Sequence, residues 1–557
     1  MAASRKSTVL TRHEIGKQIA DGRHIVIFEG RVLKLDAWLP FHPGGDKAIQ
    51  HMVGRDATDE MNALHSAAAK ERMKSFQIGR IEGAWVNFLP PIQGGDFSIY
   101  NTQDLSAAIE SDDNSSGNGQ SIPPSPLFEP ADKKESGLRR RGSVSTSISS
   151  VGTASPEKKD SETRPFFLDA RTQEEIAFDT AKYPPVTAEE QERIVQKYRQ
   201  LYKRLLDEGL FNCNYSAYLV ETSRYLLLFG LFLYFLHCGW YGTSGFFLGC
   251  TWHQLVFTVH DAGHLGITHD FHTDTVIGIL IADFIGGLSI GWWKRNHNVH
   301  HIVTNSPEHD PDIEHMPFFA VSHRLFGSLR STYYERVMEY DFAAKFLIRF
   351  QHFLYYPLLC FGRFNLYRLS WEHLIRGQGP RKGAAWWHRW LEIAGHVFFW
   401  AWFGYGVLYR RIPDWQNRVL FIMVSHMITA PLHVQITLSH FAMSTSDMGV
   451  HESFPQKMLR TTMDVDCPQW LDFFHGGLQF QAVHHLFPRL PRHNLRRAQK
   501  LVIEFCEETK IPYAIFSFVD GNKEVIGHLG DIAKQARMLA ECQKSIAEKG
   551  VFSDHHH

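Results

Sequence analysis

Apolar residues in this chain are gathered into blocks, and the blocks differ in kind. Residues 8–90 hold short apolar runs such as HIVIFEGRVLKL, His24 to Leu35, broken by Gly-bearing turns and short helical patterns. That rhythm predicts a compact α+β domain. Residues 91–165 reverse it. The run SDDNSSGNGQSIPPSPLFEPADKKESGLRRRGSVSTSISSVGTASPEKKD is rich in Ser, Pro, Gly and charge, and lacks the apolar surface needed to fold. It predicts a disordered linker. Residues 166–525 then carry long apolar segments at 217–237, 241–259, 275–293, 346–364, 390–409 and 418–438. About 20 mainly apolar residues cross a bilayer core as a helix, so this region predicts an all-α membrane domain. Residues 526–557 read as a C-terminal tail.

Length and charge narrow the classes. A chain of 557 residues exceeds one ordinary domain, and a net charge of −1 gives no global field for nucleic acid. Seven cysteines occur without a CxxC, which predicts reduced thiols facing a reducing compartment. The stretch MAASRKSTVLTRHEIGK has no apolar core and does not read as a signal peptide, so membrane insertion is expected from the internal spans. Ser143 follows three arginines in RRRGS, a pattern similar to basophilic kinase sites, although such short matches arise by chance. The terminal SDHHH resembles a tag remnant as much as a native end, and carries no site argument.

Two histidine patterns carry the chemistry. In the first, His42 opens His-Pro-Gly-Gly, a turn that lets backbone approach a flat ligand closely, and His65 follows a short amphipathic pattern. Two histidines on opposite walls of a pocket can fill both axial positions of a haem. Such an iron passes electrons but has no open site for substrate. In the second, histidines fall into three boxes: HDAGH (His260, His264), HNVHH (His297, His300, His301) and QAVHH (His484, His485, preceded by Gln481). Spacings of three and four place rings on one helix face, where they can share a metal. A zinc protease helix would need Glu beside the first His, and this chain has Asp261.

Topology constrains the boxes. If all three meet at one site they lie on one side of the membrane. Between His264 and His297 only one apolar stretch exists, so 275–293 must dip into or lie along the membrane rather than cross it. Between His301 and His484 the crossings must be even in number. The pairs 217–237 with 241–259, and 390–409 with 418–438, give four spans. The 346–364 stretch, which carries Arg349 and Arg363, goes to the interface. Lys294, Arg295 and the basic run near 373–382 then face the cytosol, as does the N-terminal domain. His426, His433 and His440 recur every seven residues along the last span, and His440 sits at its cytosolic end as an eighth ligand candidate. Asp261, Gln481 and His475 are weaker candidates for a supporting role, and His309 and His315 read as structural.

HPGG, GRDAT and the closing HS of residues 8–85 resemble the cytochrome b5 family, which implies haem b with His42 and His65 as axial ligands. The boxes and apolar segments, over about residues 210–510, resemble the membrane fatty-acyl desaturases, which hold two non-haem irons in a histidine cage. The fused haem domain and the Gln of the third box are similar to the front-end subgroup. HDPDIEHMP and HHLFPRLPRHNLR look most like the fungal sphingolipid Δ8-desaturases. Val483 stands where many front-end fatty-acid enzymes carry Glu. The resemblance implies O2 as co-substrate, electrons from NADH through a cytochrome b5 reductase, a ceramide or sphingoid substrate, and the endoplasmic reticulum membrane with haem domain and cage cytosolic. The rival readings are a Δ5 or Δ6 fatty-acid desaturase, a lipid hydroxylase on the same fold, a histidine-rich membrane metal-handling protein, and an inactive electron carrier. Product mass and metal content separate them.

Overall fold

The computed structural model describes residues 7–88, 96–97, 128–129 and 156–553; most of the expected linker, Ser143 and the terminal histidines lie outside them. In the N-terminal region, strands Ile25–Phe28, Arg31–Lys34 and Gln77–Arg80 form an antiparallel sheet in chain order, with Val26 opposite Leu33 and Val32 opposite Gly79. Glu29 and Gly30 both take positive φ, so a two-residue turn closes the first hairpin with the twist its strands require. Helix Arg12–Ala20 starts on a reciprocal capping box between Thr11 and Glu14. Helices Asp46–Gln50, Thr58–Leu64 and Ala67–Met73 cover the sheet and frame the two predicted haem ligands.

The second region is built almost wholly of helices. It opens earlier than residue 166, with helix Pro156–Lys182, and continues through Ala188–Asp207. It closes with a long helix, Phe518–Ser553, so the stretch expected as a tail is ordered structure. Val525, Leu529, Ile532, Ala536 and Leu539 recur at helical spacing along it and are buried, which fixes the helix on the domain. The all-α expectation misses two small sheets. The clearer one is a parallel pair, Asp464–Asp466 with Ile515–Ser517, which ties the chain before the third box to the start of that last helix.

Among the described residues, two helices are long and apolar enough to cross a membrane, Tyr215–His237 and Trp415–Leu438. The first carries one polar patch, Glu221 to Arg224, and is otherwise mostly apolar, presenting Leu219, Val220, Leu226 and Leu227 outward. The 241–259 stretch forms the equally long helix Tyr241–Gly263, but it carries Ser244, Thr251, His253, Gln254 and Thr258, all buried. It lies between the other two. Gly245 and Gly249 allow the close approach: a Cβ at Gly249 would stand 2.7 Å from Ile428, and one at Gly245 would stand 2.9 Å from the Phe421 carbonyl oxygen. The 390–409 stretch begins as helix His388–Phe399 and widens into π-helix over Trp400–Arg411.

Helices Phe271–Ile285 and Ile290–Val303 meet at a bend of 118°, so the 275–293 stretch turns back instead of running straight. Gly287 takes φ +67 at the corner, and Ser289 caps the second helix by accepting from the Trp292 N–H at 3.0 Å. The 346–364 stretch breaks into short helices that leave Phe346, Phe353, Tyr356 and Phe361 exposed.

Candidate haem pocket and metal centre

The N-terminal histidines face each other. His42 follows the 3-10 turn Leu39–Phe41, and His65 ends helix Thr58–Leu64 in extended conformation. Their ring centroids lie 6.1 Å apart. A metal–nitrogen bond of about 2 Å on each side, plus roughly 1 Å from each nitrogen to its ring centre, gives about 6 Å, so the pair is spaced for one iron between the rings. His42 Nδ1 bonds the Gly45 carbonyl at 2.7 Å and His65 Nδ1 bonds the Met61 carbonyl at 3.1 Å. With Nδ1–H donated to those carbonyls, each ring keeps the Nε2 lone pair for metal. Burial pushes the His65 imidazolium down to about 3, and lowers His42 as well, so both rings are neutral.

The three boxes converge although they are far apart in sequence. Helix Tyr241–Gly263 brings His260, with His264 just past its end; helix Ile290–Val303 brings His297, His300 and His301; helix Gln481–Leu486 brings His484 and His485. His440 arrives from the loop after Ala430–Leu438. Ligand atoms of His260, His264, His297 and His484 lie within 4.8 Å of one another, as do those of His300, His440 and His485. His301 stands between the two groups, its ring 4.8 Å from that of His264 and 4.3 Å from that of His485.

The electrostatics suit a metal. Nε2 of His264, His484 and His485, and Nδ1 of His301 and His440, are buried without a partner. Each unmade hydrogen bond of this kind costs about 1–3 kcal/mol, so five in one place are a standing strain that metal ligation would relieve. Burial, then the neighbouring rings, holds His264, His301, His484 and His485 far below the ordinary imidazole range, in the neutral ligating form. His300 is the exception. Burial lowers it, but Asp310 and Asp312 outweigh burial and bring it up to about 8.

Asp310 and Asp312 are the residues the sequence reading missed as part of the site. Asp310 is fully buried; it accepts from His300 Nδ1 at 2.8 Å and from the Asn305 N–H at 2.7 Å. Asp312 accepts from His297 Nδ1 at 3.3 Å and from the Asn296 amide. These carboxylates orient one ring of each histidine cluster, the role that partners of metal-ligating histidines fill. The signal was present as Asp-Pro-Asp in HDPDIEH, but it lies in a turn with no helical period to aim it.

The weaker candidates fall outside both clusters. Asp261 pairs with Arg492 and takes the Tyr218 hydroxyl, while Arg492 also holds Glu221. That network braces the first box from behind. Gln481 is the buried first residue of the third-box helix. His475 packs between Phe474 and Phe518. Deeper on the seven-residue stripe, His426 meets the Tyr367 hydroxyl at 3.2 Å and His433 lies against Gly362. His309 bonds Thr332 at 3.0 Å and His315 lies beside Phe441.

The haem-type domain is seated against the boxes. Asn298, next to His297, donates to the Gly44 carbonyl at 3.2 Å, and Arg295 bonds Asp46 at 3.0 Å. Arg489, four residues after His485, donates to the carbonyl of His65 at 3.1 Å. A Cβ at Gly44 would stand 2.9 Å from both Asn298 and His42, so the first glycine of the Gly-Gly pair is needed for the approach itself. Beneath these polar contacts one apolar cluster is shared: Phe28, Leu35, Ile49 and Met61 on one side, Val299, Ile302 and Val303 on the other.

A paired-histidine domain docked on a histidine cage, beside helices fit for a membrane, describes a redox enzyme of lipids. The chain belongs to the fatty acid desaturase family, whose model matches residues 228–517, and a cytochrome b5-like heme/steroid binding domain matches residues 11–82. It is 66% identical to the Delta 8-(E)-sphingolipid desaturase of Emericella nidulans, over the full length of both chains. It is 49% identical to the protein of that name from Kluyveromyces lactis, over 99% of this chain and 97% of that one. A Delta(8)-fatty-acid desaturase of Helianthus annuus is 38% identical over 65% of this chain and 78% of its own length.

Proposed function

We propose that this protein is an O2-dependent desaturase that introduces a double bond at the Δ8 position of the sphingoid long-chain base, in the free base or in ceramide. The observation that carries the chemistry is the convergence of unpartnered, neutral imidazole nitrogens in two clusters. In this reading His260, His264, His297 and His484 hold one iron, His300, His440 and His485 hold a second, and His301 stands between them. His42 and His65 hold haem b. Iron held by the cage would supply, with O2, the oxidising power to remove two hydrogens from adjacent unactivated carbons, and a haem held by His42 and His65 would supply one-electron transfer. O2 becomes two waters by taking four electrons, two from the substrate C–H bonds and two from NADH through a cytochrome b5 reductase.

The chain's own residues set the stage for that chemistry. Asp310 takes the Nδ1–H of His300 and leaves Nε2 facing the cluster. Trp293 lies over the His297 ring at 4.4 Å and excludes water from that wall. Asn298 and Arg489 seat the haem domain with both haem ligands' loops against the boxes. In this reading Tyr215–His237, Tyr241–Gly263, 388–411 and Trp415–Leu438 are four spans, and the cage and haem domain lie together on the cytosolic face of the endoplasmic reticulum membrane; the length and apolarity of Tyr215–His237 and Trp415–Leu438 and the 118° turn of the bent pair support it.

The test is expression in a yeast that makes no desaturated long-chain base, followed by mass spectrometry of its lipids. The expected product is a long-chain base lighter by two hydrogens, with the new bond between C8 and C9. Unsaturation confined to fatty acids overturns the sphingoid assignment, and a base heavier by one oxygen atom makes the enzyme a hydroxylase.

A further inference from the structure

A second polar site lies beside the cage, toward the N-terminal end of the helix that carries the second box. A small pocket of about 40 Å³, partly open to solvent, is bounded by the haem-domain loop at Pro43 and Gly45 and by Lys294, His373, His388 and Glu392 of the helical domain. These polar residues are nearly inaccessible: Lys294 is 8% exposed, His373 2% and Glu392 3%. Lys294 has no carboxylate in ion-pair range among the described residues; its Nζ reaches only Thr275 Oγ1, at 3.5 Å, and sits 5.4 Å from the Phe271 ring centre. His373 Nδ1 is buried without a partner. Glu392 accepts from the Ser289 hydroxyl and from the Gly291 N–H at 3.0 Å, so its carboxylate is already fixed in place. A buried ammonium with one weak neighbour and an imidazole with an open nitrogen are costly unless something polar joins them.

We propose that this pocket receives the polar head of the lipid substrate, with Lys294 and His373 binding its hydroxyl and carbonyl oxygens and Glu392 accepting from a hydroxyl or amide N–H. The inference rests on the Δ8 sphingoid reading. A double bond placed by counting from the head requires the head to be held at a fixed, short reach from the oxidising centre. Lys294 precedes His297 by three residues, about 4.5 Å along the helix axis and roughly 60° around it, on the same side of the helix. An alkyl chain leaving the pocket therefore meets the cage after only part of its length. The distal tail is left to an apolar path that need not measure it.

The experiment uses the full-length, haem- and iron-loaded enzyme in nanodiscs with C16 ceramide as substrate. Lys294→Met should raise KM for ceramide at least tenfold, scatter the double bond away from C8–C9, and leave the haem absorbance and the iron-to-haem ratio unchanged; Lys294→Arg should recover most of the loss. An unchanged KM and bond position in Lys294→Met overturns the pocket assignment. If that variant does not fold, wild-type enzyme is photolabelled with a ceramide carrying a diazirine in its head. Labels on 291–295 or 388–392 support the site, and labels elsewhere overturn it. A wild-type enzyme that leaves ceramide and free sphingoid base untouched sinks the functional reading instead, so the two failures are distinct.

Discussion

Replacing Asp310 by Asn keeps the size of the side chain and removes the charge that governs His300. In the wild-type protein His300 titrates at about 8 because Asp310 and Asp312 outweigh burial. A metal binds the neutral ring, so below pH 8 it must displace a proton from Nε2. Metal affinity of the cluster formed by His300, His440 and His485 should then rise about tenfold per pH unit up to about pH 8, and level off above it. At pH 7 the proton costs roughly 1.4 kcal/mol, a factor of about ten. In Asp310→Asn only Asp312 is left to oppose burial, so levelling should begin about one pH unit lower. The plateau itself should fall by roughly tenfold, because an Asn oxygen can still accept the Nδ1–H but no longer raises the ring's basicity as a carboxylate does. The assay is Co2+ titration of haem-loaded, iron-stripped protein at a series of pH values, read from the cobalt absorption bands. Levelling at the same pH in both proteins would refute the claim that Asp310 controls this ring.

Three further outcomes follow from the geometry. His42→Ala should abolish the haem absorbance and NADH-driven turnover while leaving non-haem iron bound, checked by optical spectra and metal analysis of one preparation. Gly263→Ala puts a Cβ 2.1 Å from the Trp293 ring, so Trp293 must leave its place over His297; this should cost about 1–3 kcal/mol and lower the iron-to-haem ratio. Arg460 is 1% exposed and joins Asp179 to Glu452, so Arg460→Met strands two buried carboxylates and should destabilise the helical domain by about 3–5 kcal/mol in thermal unfolding.

The histidine boxes were legible in the sequence because a helix imposes its period: rings three and four apart share a face whatever surrounds them. His440 was found the same way, as the end of a seven-residue stripe. Asp310 and Asp312 were not, because they sit in the irregular stretch from Asn305 to Phe319, where no period says which way a side chain points. The haem ligands were legible from a turn motif. The seat of their domain was not, since Gly44 meets Asn298 and His65 meets Arg489 across hundreds of residues of chain. The helix over 241–259 was legible as apolar. Its central position depends on Gly245 and Gly249 meeting Phe421 and Ile428, which no hydropathy pattern encodes. The long final helix was missed because its apolar stripe is narrow and its remaining faces are charged.

The apolar cluster shared by the two domains has a consequence for anyone who cuts the chain. Free electron carriers stay dissolved because their contact faces are polar. Here Phe28, Leu35, Ile49 and Met61 are covered partly by Val299, Ile302 and Val303. Excised by itself, the N-terminal fragment would carry a greasy face into water. It should self-associate at concentrations where the intact enzyme, in its own lipid, keeps that face occupied.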